Sequence, residues 1–332
     1  MSANGAPSFV QPGGAQTYPQ PLNLDGCHLF SFMLEADATA LRQICDTYLN
    51  GPAGGQVHYV PLASCAMIAV AMTSKISCTD LPPEKQFWLP ETDIAFWIPV
   101  VRGKKEAGFF IAESLQWFLP YVFVNNTWAV VSGREIYGYP KAMSSFELPP
   151  PADPKRFTVD TLTVKEFGPD AQATWQRLFE INRLSAPGGN LLKRTFVSLA
   201  TAGEEFLKSM LAGRALLIPG LGVWEELIKL VIHGTMPMVF LKQFRDALVG
   251  ADACYQAVVE APARIVKIRT AGELADDYQV TIQTFASHPI VNDLGLQGQR
   301  DAATGAWTGK PFGVWYADFD FQALNATQIW TG

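Results

Sequence analysis

The chain has 332 residues, of which 48% are hydrophobic, 12% aromatic and only 17% charged, with a net charge of -6. That is enough apolar material for a substantial core, and the acidic balance excludes a basic surface of the kind that holds nucleic acid. The sparse charge points to extensive subunit contacts. The five cysteines, Cys27, Cys45, Cys65, Cys78 and Cys254, are odd in number and have no metal-ligand spacing. Scattered thiols of this kind predict a reducing, cytoplasmic setting.

The first residues, MSANGAPSFVQPGGAQTYPQP, carry no basic region and no apolar run, so they read as a flexible arm over 1–24 and not as a secretory signal. A strand is predicted over Leu29–Leu34. Asp37 is placed to cap a helix from Ala38 to Leu49, which the glycines at 51, 54 and 55 end. Val57–Met72 is β-rich, and Ser74–Pro90 reads as a loop broken at Pro82 and Pro83. A strand over Ile94–Val101 leads into a basic turn, Arg102–Lys105, with Phe109–Ala112 as its partner.

From Ser114 to Ser132 Tyr121 is the one ionisable side chain. The run is long enough to raise the question of a membrane span. Gln116, Pro120, Asn125 and Asn126 interrupt it, so no membrane span is expected. Tyr121–Val124 and Trp128–Val131 instead predict a hairpin turning at Asn125-Asn126. A proline-rich loop leads into a strand over Phe157–Val164. Thr174–Ile181 and Glu204–Ala212 have helical spacing, and Trp224, Leu227, Leu230 and Val231 make a further apolar helical face. The tail returns to β over Cys254–Arg269, Tyr278–Ala286 and Val314–Phe321, the last alternating with a period of two.

The segment that carries chemistry is GREIYGYPKA, Gly133–Ala142. It delivers Lys141 after a turn whose shape Pro140 restricts, downstream of the long uncharged stretch. An ordinary lysine, with a pKa near 10.4, is neutral in only about 1 molecule in 2,500 at pH 7. Desolvation lowers that pKa by roughly 3–5 units. The free amine would then be a major species able to attack a carbonyl. The competing reading is a turn lysine pointing into solvent. The histidines His28, His58, His233 and His288 show no metal spacing and no adjacent serine nucleophile, so no metal is expected.

GREIYGYPKA and its approach, LPYVFVNNTWAVVS, resemble the active-site segment of the acetoacetate decarboxylase superfamily. HLFSFMLEADATALRQ, FWIPV, ACYQAVVEAPARIVKI and TFASHPIVNDLGL are similar to further parts of that family. The resemblance implies an α+β, mainly β fold: a closed antiparallel β-barrel around an apolar pocket, with surrounding helices, in a homo-oligomer. Residues 25–332 would then form a single domain, with 183–234 as a helical insertion. That insertion would pack on the barrel or on a neighbouring subunit, serve as a lid or pocket wall, or touch a membrane surface.

The same resemblance makes Lys141 an imine-forming residue, acting on a small-molecule keto acid or other carbonyl substrate without a cofactor. The family glutamate that precedes the Ile-Pro-Val strand falls on Asp93 by register and on Glu91 by residue type, so both are candidates for proton shuttling. Tyr137 and Tyr139 would line the pocket or donate to a substrate oxygen. Arg134 and Glu135 would form an internal ion pair supporting the lysine turn.

Two positions depart from the family. Ala142 stands where the decarboxylases have a second lysine, the adjacent cation by which acetoacetate decarboxylase activates its nucleophile. Cys27 stands where they have an arginine for the substrate carboxylate. Three activities therefore stay open: β-keto-acid decarboxylation, an aldolase–dehydratase using a pyruvate-type enamine, and non-catalytic binding of apolar carbonyl compounds.

Overall fold

Alternation along the long strands sets the architecture. In β1 (Leu22–Glu35), Phe30, Phe32 and Leu34 enter one apolar core, while Leu29 and Met33 belong to another. β2 (Tyr59–Pro61) is short, and β3 (Cys65–Cys78) repeats the pattern with Ile68 and Val70 against Met67 and Ala69. β4 (Trp88–Glu106) does so with Ile94, Phe96 and Ile98 against Ala95 and Trp97. Successive side chains of a strand point to opposite faces, so a single sheet separates two apolar layers. On the second face several positions are alanine (Ala69, Ala71, Ala95, Ala263), and there the layer contains a cavity.

The computed structural model describes residues 7–10, 17–185, 191–214, 216–218, 220–221, 223, 226, 229 and 233–332. After β4 come β5 (Phe109–Val124), β6 (Lys141–Glu147), β7 (Arg156–Thr163), β8 (Thr174–Arg183) and β9 (Gly220–Leu221). The last part of the chain holds β10 (Thr235–Arg245), β11 (Ala253–Glu273), β12 (Tyr278–Ile282) and β15 (Gly313–Ala323). The short strands β13 (Gln299–Arg300), β14 (Trp307–Gly309) and β16 (Thr327–Thr331) complete it.

The fold is mainly β, and one large sheet joins these strands. Hydrogen-bonded neighbours run β5, β4, β3, β1, β15, β11, β10 and back to β5. All of these pairings are antiparallel except β5–β10, which is parallel. From β5 the sheet also continues through β6, β7 and β8 to β12. The core between that extension and the first set of strands holds Phe30, Phe157, Phe179 and Tyr278.

Several expected elements differ. The hairpin at Asn125-Asn126 is not formed. Thr127–Ser132 is a helix, α2, followed by a wider π-type turn over Gly133–Tyr137. The reason is topological: β5 and β6 pair in parallel, and parallel neighbours need a crossover where a hairpin would join antiparallel ones. Asn126 starts the crossover by accepting from Ala129 N at 2.8 Å. Gly138, with φ of 83°, ends it.

Thr174–Arg183 is a strand and not a helix, because ladders with β7 and β12 override the three-residue spacing of Leu178 and Ile181. The basic segment Arg102–Lys105 lies inside β4, and the turn falls at Ala107-Gly108. Part of the expected loop is strand, since β3 reaches Cys78 and β4 starts at Trp88. The antiparallel expectation also needs correction, since β5 has parallel partners in β6 and β10.

The expected helix from Ala38 forms as α1 (Ala38–Cys45), capped by the Asp37 side chain, and continues as a π-type turn to Asn50. Within 183–234 the described residues include α3 (Leu199–Leu211). The expected apolar face of Trp224, Leu227, Leu230 and Val231 lies outside the described residues. Within 1–24, β1 begins at Leu22, and Tyr18 is buried because its ring packs against Phe87 and its hydroxyl reaches into the cavity layer.

Gly138 yields a direct test. A Cβ there would adopt a left-handed backbone and stand 2.6 Å from Lys242 Cα. Gly138→Ala is expected to lower stability by more than about 1 kcal/mol, read as a fall in the midpoint of thermal or urea unfolding.

Candidate active site

Residues two apart on a strand share a face, so Glu91 and Asp93 of β4 point the same way, into the alanine-lined layer. Lys141 is the first residue of β6 and pairs with Val122 of β5, whose other neighbour on β4 is Ala95. The lysine therefore reaches across one strand to the acids. Gly133 makes room for it: a Cβ at that position would stand 2.7 Å from Lys141 Cδ. Asn125 steadies the acidic strand by accepting from Thr92 N at 3.1 Å.

Lys141 Nζ donates to Glu91 Oε1 at 2.6 Å and lies 3.0 Å from Asp93 Oδ1, an ion-pair contact without hydrogen-bond alignment. The Tyr18 hydroxyl donates to Glu91 Oε2 at 3.1 Å, and Tyr18 N donates to Ser132 Oγ at 3.2 Å. Lys141 is 9% exposed and Glu91 3%, so this contact is sheltered from water. Around it lies a cavity of about 120 Å³ whose remaining lining is mostly aliphatic and aromatic.

The electrostatics correct one expectation. Burial pulls Lys141 toward its neutral form, as the sequence suggests, but the Asp93 and Glu91 charges outweigh it and hold the resting amine protonated. Burial alone would raise Glu91. The Lys141 charge opposes it, joined by hydrogen bonds from Asp93, Lys141 and Tyr18, and Glu91 is held below the ordinary carboxylate range. Asp93 goes the other way: burial and the Glu91 charge push it up to about 7. The nearby Lys141 charge opposes this rise but is outweighed. At neutrality the site holds one ammonium and one carboxylate beside an acid whose pKa is raised toward neutrality.

The structure brings Lys141, Glu91, Asp93, Tyr137 and Tyr139 to one cavity. The Tyr139 ring centroid lies 5.3 Å from Lys141 Nζ, and its hydroxyl is 3.3 Å from Met238 Sδ. Tyr137 spends its hydroxyl on Leu324 O at 3.0 Å, which makes it a wall.

Arg134 and Glu135 do not form the expected ion pair. They are consecutive on the helical turn, so their side chains diverge, and Arg134 Nη1 stands 3.5 Å from Lys141 O. Cys27 lines the cavity as a fully buried thiol, pushed up to about 12 by burial. Tyr18, Ser132 and Gly133 escape the sequence reading. The signal for Tyr18 is an aromatic residue among prolines directly ahead of an apolar strand. Among the described residues no cluster of three His, Cys, Asp or Glu side chains suits a metal.

Residues 5–166 match the acetoacetate decarboxylase (ADC) family model, a span that contains Tyr18, Glu91, Asp93 and Lys141. This segment belongs to the acetoacetate decarboxylase family. Solved structures share its fold. Acetoacetate decarboxylase from Legionella pneumophila aligns with a TM-score of 0.59 and 13% identity over 99% of this chain and 94% of that one. The enduracididine biosynthesis enzyme MppR, complexed with the condensation product of pyruvate and imidazole 4-carboxaldehyde, gives 0.54 and 10% over 98% of each. An acetoacetate decarboxylase-like enzyme from Sphingomonas wittichii RW1 gives 0.50 and 14% over 98% of each. No curated protein matches the sequence. No helix among the described residues is long and apolar enough to cross a membrane.

The raised Asp93 carboxyl has a consequence for stability. A folded-state pKa above the unfolded value means that the folded protein binds the extra proton. The associated stability is complete below about pH 4 and is lost as the pH rises through about 7. Asp93→Asn removes this dependence. Its melting temperature is therefore expected to gain on that of the parent protein between pH 5 and pH 8, checked by paired thermal melts.

Proposed function

We propose that this protein is a Schiff-base-forming carbon–carbon lyase that decarboxylates a β-keto acid. The observation that carries the reading is Lys141 Nζ at the wall of an apolar cavity, in contact with Glu91 and Asp93. A proton shift across the 2.6 Å contact to Glu91 produces a neutral amine and a neutral acid. In water that exchange would be opposed by the strong solvation of both ions. In an apolar cavity much of that solvation is already gone, which narrows the difference between the two arrangements.

The amine then attacks the ketone carbon of the substrate. A carboxyl proton goes to the resulting hydroxyl, which leaves as water, and a protonated imine remains. The bond to the substrate carboxylate breaks, its electron pair moves into the enamine, and carbon dioxide departs. An acid returns a proton to the enamine carbon, and water hydrolyses the imine, freeing the ketone and the lysine. We assign the proton deliveries to Asp93, whose pKa near 7 suits both giving and taking a proton at neutral pH. The Tyr139 ring face favours positive charge on the nitrogen.

Charge favours decarboxylation over aldol chemistry. Among the described residues lining this cavity Lys141 is the one cation, whereas Glu91 and Asp93 are both acids. A substrate carboxylate is poorly placed beside them and is relieved of its charge by leaving as carbon dioxide. A pyruvate-type aldolase keeps its carboxylate through turnover and needs a cation to hold it. The fold shared with MppR supports the aldolase–dehydratase as the second reading. To this proposal we add a barrel closed by the return of the strand pairings to β5, a single domain over 25–332 and a cytoplasmic homo-oligomer.

Borohydride reduction during incubation with a β-keto acid tests the reading. The expected result is a stable adduct on Lys141 carrying the decarboxylated ketone skeleton, with release of carbon dioxide. Lys141→Ala should give neither. An adduct that keeps every substrate carbon, with no carbon dioxide released, would favour the aldolase, and no adduct with any keto acid would overturn imine chemistry.

The pH profile supplies a second prediction. Protonated Asp93 removes one of the two anions that hold the ammonium and serves as the acid for dehydration. The proton shift to Glu91 stays inside the site and adds no pH dependence of its own. kcat/KM is therefore expected to fall about tenfold per pH unit above about 7, measured as carbon dioxide release across a buffer series.

A further inference from the structure

A second cavity, of about 150 Å³, adjoins the first and shares Leu29, Trp97, Met236 and Phe319 with it. It lies beneath α3, which contributes Ala202, Phe206 and Leu207 to its lining. No lining residue of this cavity is charged. Of its few polar groups, Tyr316 already has a partner, its hydroxyl standing 2.8 Å from His28 Nδ1, and Ser31 is 2% exposed.

The roof is held in place by definite contacts. Trp315 Nε1 donates to Ser209 Oγ at 3.1 Å, and the Phe206 ring stands 5.7 Å from Trp315 and 6.4 Å from Trp117. The cavity is thus an apolar space that shares four wall residues with the cavity of Lys141, and joined to it would more than double the room for a bound molecule. A four-carbon keto acid would leave it empty. Filling such a space with hydrocarbon removes apolar surface from water on both partners.

We propose that the substrate carries a long, unbranched apolar tail that passes Leu29, Trp97, Met236 and Phe319 and lies in the cavity beneath α3. This rests on Lys141 as the imine-forming residue and adds the substrate class: a long-chain aliphatic β-keto acid. The reacting carbonyl stays with Lys141, and the hydrocarbon is sorted by the walls from α3, β11 and β15.

Calorimetric binding of straight-chain methyl ketones, from butanone to undecanone, to Lys141→Ala tests the tail without imine formation. The dissociation constant is expected to fall about fourfold per added methylene until the second cavity is full. An affinity independent of chain length would overturn the proposal. In the parent protein, kcat/KM for β-keto acids should climb along the same series. Ala317→Leu and Ala202→Leu fill the cavity from opposite walls, and each should lower the long-to-short ratio by tenfold or more. An unchanged ratio in both variants, with melting curves showing them folded, would equally overturn it. A chain-length slope in Lys141→Ala with no borohydride adduct in the parent protein supports the tail cavity while removing the imine reading.

Discussion

Lys141 and Glu91 meet where water is largely excluded, with the half-buried Asp93 beside them, and the rest of the site is arranged around the cost of that meeting. Burial disfavours every charge in the group, yet the lysine stays protonated because two acids face it. The burden falls on Asp93, which holds the lysine without hydrogen-bond alignment and beside a second carboxylate. Isolating a lysine in hydrocarbon makes a nucleophile by lowering its pKa. Pairing it with buried acids works differently: it places the acceptor for the lysine proton within reach and makes nucleophile formation an internal transfer. Ala142, where the family's decarboxylases carry a second cation, suits the paired arrangement.

The two halves of the chain contribute different things. The segment matched by the family model contains Tyr18, both acids, the crossover helix and the lysine. The strands β10, β11 and β15 and the helix α3 add Met236, Met238, Ala263, Phe319 and the aromatic walls of the neighbouring cavity. The groups proposed to react come from the first half, and much of the shape they face comes from the second. Two proteins of this fold can therefore share the reactive trio and differ widely in what fits beside it.

Much of the site was legible because it depends on local rules. The period of two in a strand puts residues 91 and 93 on one face, so the two acids to which register and residue type point lie side by side. Asp37 as a helix cap and the alternation from Val314 to Phe321 are equally local. What was missed depends on partners distant in sequence. TWAVVS has the composition of a strand, and only the parallel pairing of β5 with β6 makes it a crossover helix. Residues 174–183 have helical spacing, and only β7 and β12 make them a strand. The sign of the lysine shift was missed for the same reason, since it is set by acids about fifty positions away in the chain.

Tyr18 ties the front of the molecule to its centre. Its backbone N–H donates to Ser132 and its hydroxyl to Glu91, the acid bonded to Lys141, although the segment precedes the first strand of the sheet. Proteolytic trimming or a fusion tag that drags this segment away would leave the sheet intact and alter the basicity of Glu91. Preparations differing only at the amino terminus would then share one folded architecture and turn over at different rates.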